Sequence, residues 1–320
     1  MEFTTKIALL FAGQGAQHPG MAKELYTQHA SVRALFELAS DVCGKDMKKL
    51  LFEGSEAELK ETINTQPAVT LASLAGMVGL RMAGVRSEDI AWVAGFSLGE
   101  YAALAVADVL TAEETFRLVY ERGRIMHHAG NEFKKQVGEP GMAAVLGLSA
   151  GAVKAVLNDQ TEVFVANYNA PDQVVISGLL AQIDRLEPLL KEAGAKRVIK
   201  LTVSGPFHTP LLSKASLEFK SVITGLRFAS PKVPLYSNVT GGILSTGKEI
   251  QHHLSEQISH PVLWQGIISD AQTRFRERVA VEVGPGNVLS ALMRGNGANY
   301  EMFRCMQMPE VEMLLARMQE

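Results

Sequence analysis

Two short apolar runs, Ile7–Phe11 and Ile90–Ala94, lead into glycine-containing turns, and residues with helical spacing follow each. A five-residue apolar run bounded by turn residues reads as a strand buried on both faces. Strands alternating with helices then require a parallel sheet covered on both sides. Helical spacing is expected over Met21–Val42, Val69–Met82, Leu98–Ala107 and Thr111–Ala129. Thr111 and Glu114 form a capping box at the start of the last of these. "VPLYSN" and "RVAVEVG" read as further strands, and the "GPG" of Gly284–Gly286 turns the second into a helix that Asn287 is expected to cap.

The middle of the chain has a different rhythm. Met142–Leu146 reads as a strand, and Ser149 as the cap of a helix ending near Asn158. Val163–Tyr168 and Gln173–Ser177 read as strands joined by the turn "NAPD". Leu180–Glu192 reads as a helix that Pro188 should kink or shorten, and Arg197–Val203 as a closing strand. The order β-α-β-β-α-β is that of a ferredoxin-like unit. The expected fold is therefore α/β, with residues 1–131 and 204–320 in the large subdomain and 132–203 in a small insert.

With 320 residues, 47% of them hydrophobic, the chain can bury a large core. A net charge of −3 gives no global attraction to nucleic acid. The two cysteines, Cys43 and Cys305, make no disulfide framework and suit a reducing compartment. The most lipid-like stretch, Pro67–Leu80, is shorter than the roughly 20 residues that cross a bilayer. A cytoplasmic monomer without membrane or nucleic-acid contacts is expected. No zinc-ligand spacing is present.

Gly95-Phe96-Ser97-Leu98-Gly99 places a serine between two glycines at an expected strand-to-helix turn. Two readings compete: a plain turn with Ser97 as a helix cap, or a nucleophile elbow that exposes a hydroxyl beside helix N–H groups. A nucleophilic serine needs a base. Of eight histidines, the pairs His127–His128 and His252–His253 lie on helical patterns that read as solvated faces, and His18, His29 and His260 carry no pattern. His208, in "VSGPFHTP", follows the insert's last strand, at a subdomain boundary where clefts form. Thr209 and Pro210 are expected to start the next helix there. "GQGAQ" at Gly13–Gln17 matches neither a dinucleotide loop nor a phosphate loop, but its backbone N–H groups can serve an oxyanion.

Arg122 breaks the pattern of its helix. It shares a face with Leu118, Val119, Ile125 and Met126, while Arg117, Glu121, Arg124 and His128 form the polar stripe. A guanidinium on an apolar face is costly unless something anionic pairs with it, and three readings stay open: an internal ion pair, a side chain that snorkels to water, or the carboxylate of a substrate.

Taken together, "FAGQGAQHPGM", "TQPAV", "GFSLGEYAAL", "RGRIM", "GMAAVLGL", "ANYNAPDQVVISG", "VSGPFHTPLL", "HPVLW" and "EVGPGNVLSAL" resemble malonyl-CoA:acyl-carrier-protein transacylases of bacterial fatty-acid and polyketide synthesis. The resemblance runs almost end to end. It implies an α/β-hydrolase-like core with a ferredoxin-like insert. It implies Ser97 as the acylated nucleophile, His208 as its base, Gln14 and Leu98 as backbone oxyanion donors, and Arg122 as the clamp on the malonyl carboxylate. Gln257 would hold the histidine through its main-chain carbonyl, in place of an aspartate. No metal or redox cofactor is implied; malonyl-CoA is the substrate, and acyl carrier protein, bearing phosphopantetheine, is the partner. Phe207 resembles malonyl-selective members. Phe96 departs, since the family usually has histidine before the nucleophile. An acidic carrier would suit a basic rim, for which Lys191, Lys196, Arg197 and Lys200 are the candidates. An acyl hydrolase of carrier proteins is a rival that shares the elbow and the base, but it has no use for Arg122. A non-catalytic docking protein is the second rival.

Overall fold

The computed structural model describes residues 3–157 and 162–320. Its strands are β1 (Ile7–Phe11), β2 (Ile90–Gly95), β3 (Pro140–Leu146), β4 (Val163–Ala170), β5 (Gln173–Leu179), β6 (Arg197–Leu201), β7 (Leu235–Tyr236), β8 (Ile243–Leu244), β9 (Val279–Val283) and β10 (Glu301–Arg304). The large sheet has the order β10-β9-β1-β2-β7-β8 and is parallel except for the edge strand β8. β1, at its centre, is buried along its whole length. Its side chains alternate between the two faces: Ile7, Leu9 and Phe11 join one apolar cluster, Ala8 and Leu10 another. The parallel sheet is thus covered on both sides.

β3 to β6 form a second, wholly antiparallel sheet in the order β4-β5-β3-β6, with the helices Ala150–Leu157 and Leu180–Glu192 packed on it. It has its own apolar core, including Val145, Val165, Ile176, Ile183 and Leu190. The architecture is an α/β-hydrolase-like core with a ferredoxin-like unit. The small sheet is tied to the rest of the chain where Val262, in the loop before the helix Trp264–Arg274, exchanges backbone hydrogen bonds with Ala166 and Tyr168 of β4. None of the described helices is long and apolar enough to cross a membrane.

Several elements differ from the sequence expectation, each for a local reason. Met21–Val42 is not one helix. Lys23–Gln28 and Ala30–Cys43 are separated by His29 in extended conformation. The helix expected from Val69 begins at Thr62 and runs through Pro67 to Met82. A proline disfavours helix in the residue before it, but Asn64, Thr65 and Gln66 are buried there and held in place. Thr65, for example, donates to the Glu61 carbonyl. Pro188 does not shorten its helix, which continues to Glu192. Pro188 and Asp184, whose carbonyl it leaves without an amide partner, are both exposed, so water can serve that oxygen. Asn158, the expected end of the preceding helix, lies outside the described residues.

Two expected caps are replaced by other bonds. Asn287 stands at the N-cap of Val288–Gly295, but its side chain makes no cap bond. The buried Glu282 carboxylate accepts from the N–H groups of Leu289 and Ser290 instead. Thr209 donates backwards to the Pro206 carbonyl instead of capping, while Pro210 opens the next helical segment as expected, a 3-10 turn Pro210–Leu212 that runs directly into the helix Ser213–Thr224.

Candidate active site

The turn after β2 is built around two steric exclusions. A methyl group on Gly95 would lie 1.9 Å from the Gly99 carbonyl carbon, and one on Gly99 would lie 2.0 Å from the Phe11 oxygen. Glycine at both positions lets the helix Gly99–Val106 start directly against the sheet. Ser97, between them, has φ of +51°, and His208, in the loop before Pro210, has φ of +60°, both left-handed. Each such residue costs about 1–3 kcal/mol and has to be held by its neighbours. The Ser97 N–H donates to Asn238 Oδ1 at 2.6 Å, and Asn238 Nδ2 donates to the Gly95 carbonyl at 2.7 Å. The His208 N–H donates to the Ile258 carbonyl at 3.0 Å.

These backbones bring Ser97 Oγ to 2.7 Å from His208 Nε2. On the other side of the ring, Nδ1 lies 2.9 Å from the Gln257 carbonyl oxygen and 3.2 Å from that of His260. A carbonyl only accepts, so Nδ1 carries the proton and Nε2 is left free to accept from the serine hydroxyl. Burial pushes the imidazole pKa down to about 4, and the nearby Arg122 charge adds to the effect, while the two carbonyls oppose it. The ring is therefore neutral at pH 7 and can take the hydroxyl proton.

Arg122, 1% exposed, meets only neutral partners. It donates to Gln66 Oε1 at 3.0 Å, to Gln257 Oε1 at 3.0 Å and to Ser97 Oγ at 3.2 Å. Its guanidinium carbon sits 5.3 Å from the Tyr101 ring centre, and its Nε has no hydrogen-bond partner among the described residues. Among the described residues no carboxylate lies within ion-pairing distance of it, 4.0 Å. The internal ion pair that sequence left open is not formed. A buried cation served only by neutral oxygens, next to a serine hydroxyl, suits an anionic ligand at that hydroxyl.

The Ser97 N–H is committed to Asn238. Among the described residues, the N–H groups of Leu98 and Gln14 donate to no protein oxygen. Leu98 is the N-cap of Gly99–Val106. Gln14 follows Gly13, which is packed so closely that a methyl group there would lie 2.5 Å from the Phe96 carbonyl. The Gln14 side chain turns away, to Thr62 Oγ1. Phe96 stacks edge-to-face on Trp264 with ring centres 5.4 Å apart.

Several participants were not foreseen from sequence. Gln66 and Asn238 are buried, and so is Glu100, whose carboxylate accepts from the Gln257 side-chain amide and the Asn238 N–H. The Gln257 side chain also reaches the Ser97 carbonyl. A lone glutamate in the apolar "GEYAALAV" was the one available signal. Of the candidate basic rim, Lys191 pairs with Glu187 and Lys200 with Asp184, which cancels much of their field.

Comparison with known proteins follows the same line. Residues 8–314 match the model of the acyl transferase domain family. The malonyl CoA-acyl carrier protein transacylase of Bacillus subtilis is 38% identical over 298 residues, 91% of this chain and 90% of that protein. The transacylase of the same name from Coxiella burnetii superposes with a TM-score of 0.93 at 31% identity, covering all of both chains. A malonyl-transacylase solved in complex with a type II PKS acyl-carrier protein superposes with a TM-score of 0.90 at 32% identity, covering 98% of this chain and 100% of that one.

Proposed function

We propose, from the premise that this chain belongs to the acyl transferase family, that it moves the malonyl group of malonyl-CoA to the phosphopantetheine thiol of acyl carrier protein. The product supplies chain-extension units for fatty-acid or polyketide synthesis. The observation that carries this reading is the buried Arg122 guanidinium, which among the described residues has no carboxylate within 4.0 Å and sits 3.2 Å from Ser97 Oγ. A malonyl thioester presents a carboxylate two carbons from the carbonyl that the serine attacks.

In this reading the carboxylate seats on Arg122 and brings the thioester carbon to Ser97. His208 Nε2 takes the hydroxyl proton as Oγ bonds to that carbon, and the imidazolium is steadied through Nδ1–H by the Gln257 carbonyl. The oxyanion accepts from Leu98 and Gln14 N–H, each worth about 3 kcal/mol in comparable sites. Collapse expels the CoA thiolate, which takes the proton from His208 and leaves malonyl-Ser97. The carrier's thiol then repeats the sequence in reverse, which is ping-pong catalysis. In this reading residues 1–131 with 204–320 form the large subdomain and 132–203 the small one, the latter supported by its separate sheet and core, although the helix Ala112–Gln136 runs across the boundary at 131/132. The relative solved with its carrier supports acyl carrier protein as the second substrate.

The test separates transfer from hydrolysis. Purified protein is incubated with malonyl-CoA with and without a phosphopantetheinylated carrier protein, and free malonate is measured beside malonyl-carrier. The expected result is malonyl-carrier in large excess over malonate. Malonate as the main product with carrier present would establish the hydrolase instead.

A further inference from the structure

Arg122 and Glu100 are opposite charges buried in one site and kept apart by a side-chain amide. Glu100 is 3% exposed. The Gln257 carboxamide lies between the two, with Nε2 donating to Glu100 Oε2 and Oε1 accepting from Arg122 at 3.0 Å. Asn238 N–H also donates to the same Glu100 oxygen at 3.3 Å. Among the described residues neither Arg122 nor Glu100 has an ion-pair partner within 4.0 Å. The pair therefore balance each other at one remove, and Glu100 is the carboxylate whose field favours the Arg122 charge.

The proposed function gives Arg122 a second carboxylate, that of the substrate, and the inference rests on that reading. One buried cation would then face two buried carboxylates. A site of that kind keeps one carboxylate ionised and protonates the other. The substrate carboxylate has the direct contact, so Glu100 is the one displaced. We propose that Glu100 is the resting counter-charge of Arg122, and that binding of a carboxylate-bearing acyl-CoA shifts Glu100 to its protonated form, with proton uptake from solvent wherever it is ionised at rest.

The surroundings of Glu100 fit this role. The titratable groups that interact with it are Arg122 from the helix Ala112–Gln136 and Tyr101 on its own helix. Burial raises Tyr101, so it is neutral near pH 7, and among the described residues Arg122 supplies the fixed charge that acts on Glu100. Burial brings the free carboxyl to about 7, with its hydrogen bonds and Arg122 opposing the rise. Neutralising Arg122 removes one of those opposing effects, so Glu100 moves further up when substrate is bound. Proton uptake on binding makes affinity fall as pH rises. Glu100 acts here as a positioning and charge-balancing residue, not a catalytic one.

The test measures binding of malonyl-CoA to the Ser97→Ala protein, which cannot be acylated, by titration calorimetry in buffers of different ionisation enthalpy. Acetyl-CoA, which carries the same nucleotide and no carboxylate, is the control. At pH 7 malonyl-CoA should take up roughly half a proton more than acetyl-CoA. Its Kd should rise about 3- to 10-fold relative to that of acetyl-CoA between pH 6.5 and 8.5. Adding Glu100→Gln, which keeps an oxygen for Gln257 and Asn238 to bond, should abolish the extra proton and flatten the pH dependence. The proton count on the parent protein needs no second variant and stands even if Glu100→Gln misfolds. Normal malonyl-CoA binding without extra proton uptake, or the same uptake with Glu100→Gln, overturns the inference and leaves the transferase reading intact. Failure of malonyl-CoA to bind in preference to acetyl-CoA overturns both.

Discussion

His208 Nδ1 and the main-chain oxygen of Gln257 lie 2.9 Å apart, so a peptide carbonyl holds the imidazole where many serine enzymes use a carboxylate. A carbonyl fixes the tautomer but brings no negative charge. With burial and Arg122 also disfavouring the imidazolium, the ring stays neutral well into the acid range.

The first consequence is a pH profile. The acid limb of kcat/KM should lie well below 6.5, toward the value of about 4 that the buried ring has in the free protein. The limb in kcat should sit higher, because a bound carboxylate offsets Arg122. The same group gives the protein pH-dependent stability. The unfolded chain takes its proton near 6.5 and the folded one only near 4, so the His208 contribution is complete above 6.5 and is lost as pH falls between the two. Denaturant midpoints of the parent and His208→Gln between pH 4.5 and 7.5 measure it, with the parent expected to have the steeper slope.

Arg122→Ala should lower kcat/KM for malonyl-CoA by at least about 100-fold, the scale of losing one desolvated charge-assisted contact. Acetyl-CoA should be spared or used better, since no carboxylate is missed and the cation is gone. Steady-state transfer with both thioesters checks this, and an equal loss with each would remove the clamp from the account.

Asn238→Ala strips the Ser97 N–H of its acceptor and the Gly95 carbonyl of a donor. With two buried groups left unpaired, at about 1–3 kcal/mol each, thermal stability should drop measurably. The left-handed Ser97 backbone should relax, so kcat should fall more than KM rises. Calorimetric melting and kinetics together read both effects, and an unchanged kcat in a folded variant would show that the elbow holds without Asn238.

What could be read from the sequence followed from short-range rules. β1 and β2 showed as apolar runs, the Thr111–Glu114 box marked a helix start, and the insert showed through its element order. Gly95 and Gly99 flagged the elbow because close approach needs them, and Arg122 stood out against its apolar face. What stayed hidden depends on residues far apart in the chain. Nothing local says that Asn238 would reach Ser97, or that Gln66 and Gln257 would both serve Arg122. The helix Thr62–Met82 extends upstream of the expected Val69 start, through Pro67, where the burial that holds Asn64, Thr65 and Gln66 is tertiary and leaves no local signal. Asn287 had the right identity and place for a cap, but Glu282, out of reach of any capping rule, took its bonds.

The central claim is that the Ser97 hydroxyl, with His208 as base, accepts a malonyl group. Intact-protein mass spectrometry with peptide mapping, seconds after mixing with malonyl-CoA, tests it most directly. The account predicts one added malonyl group on the peptide carrying Ser97, absent from Ser97→Ala and strongly slowed in His208→Ala. A malonyl group on another residue, or undiminished transfer to carrier protein by Ser97→Ala, would contradict it.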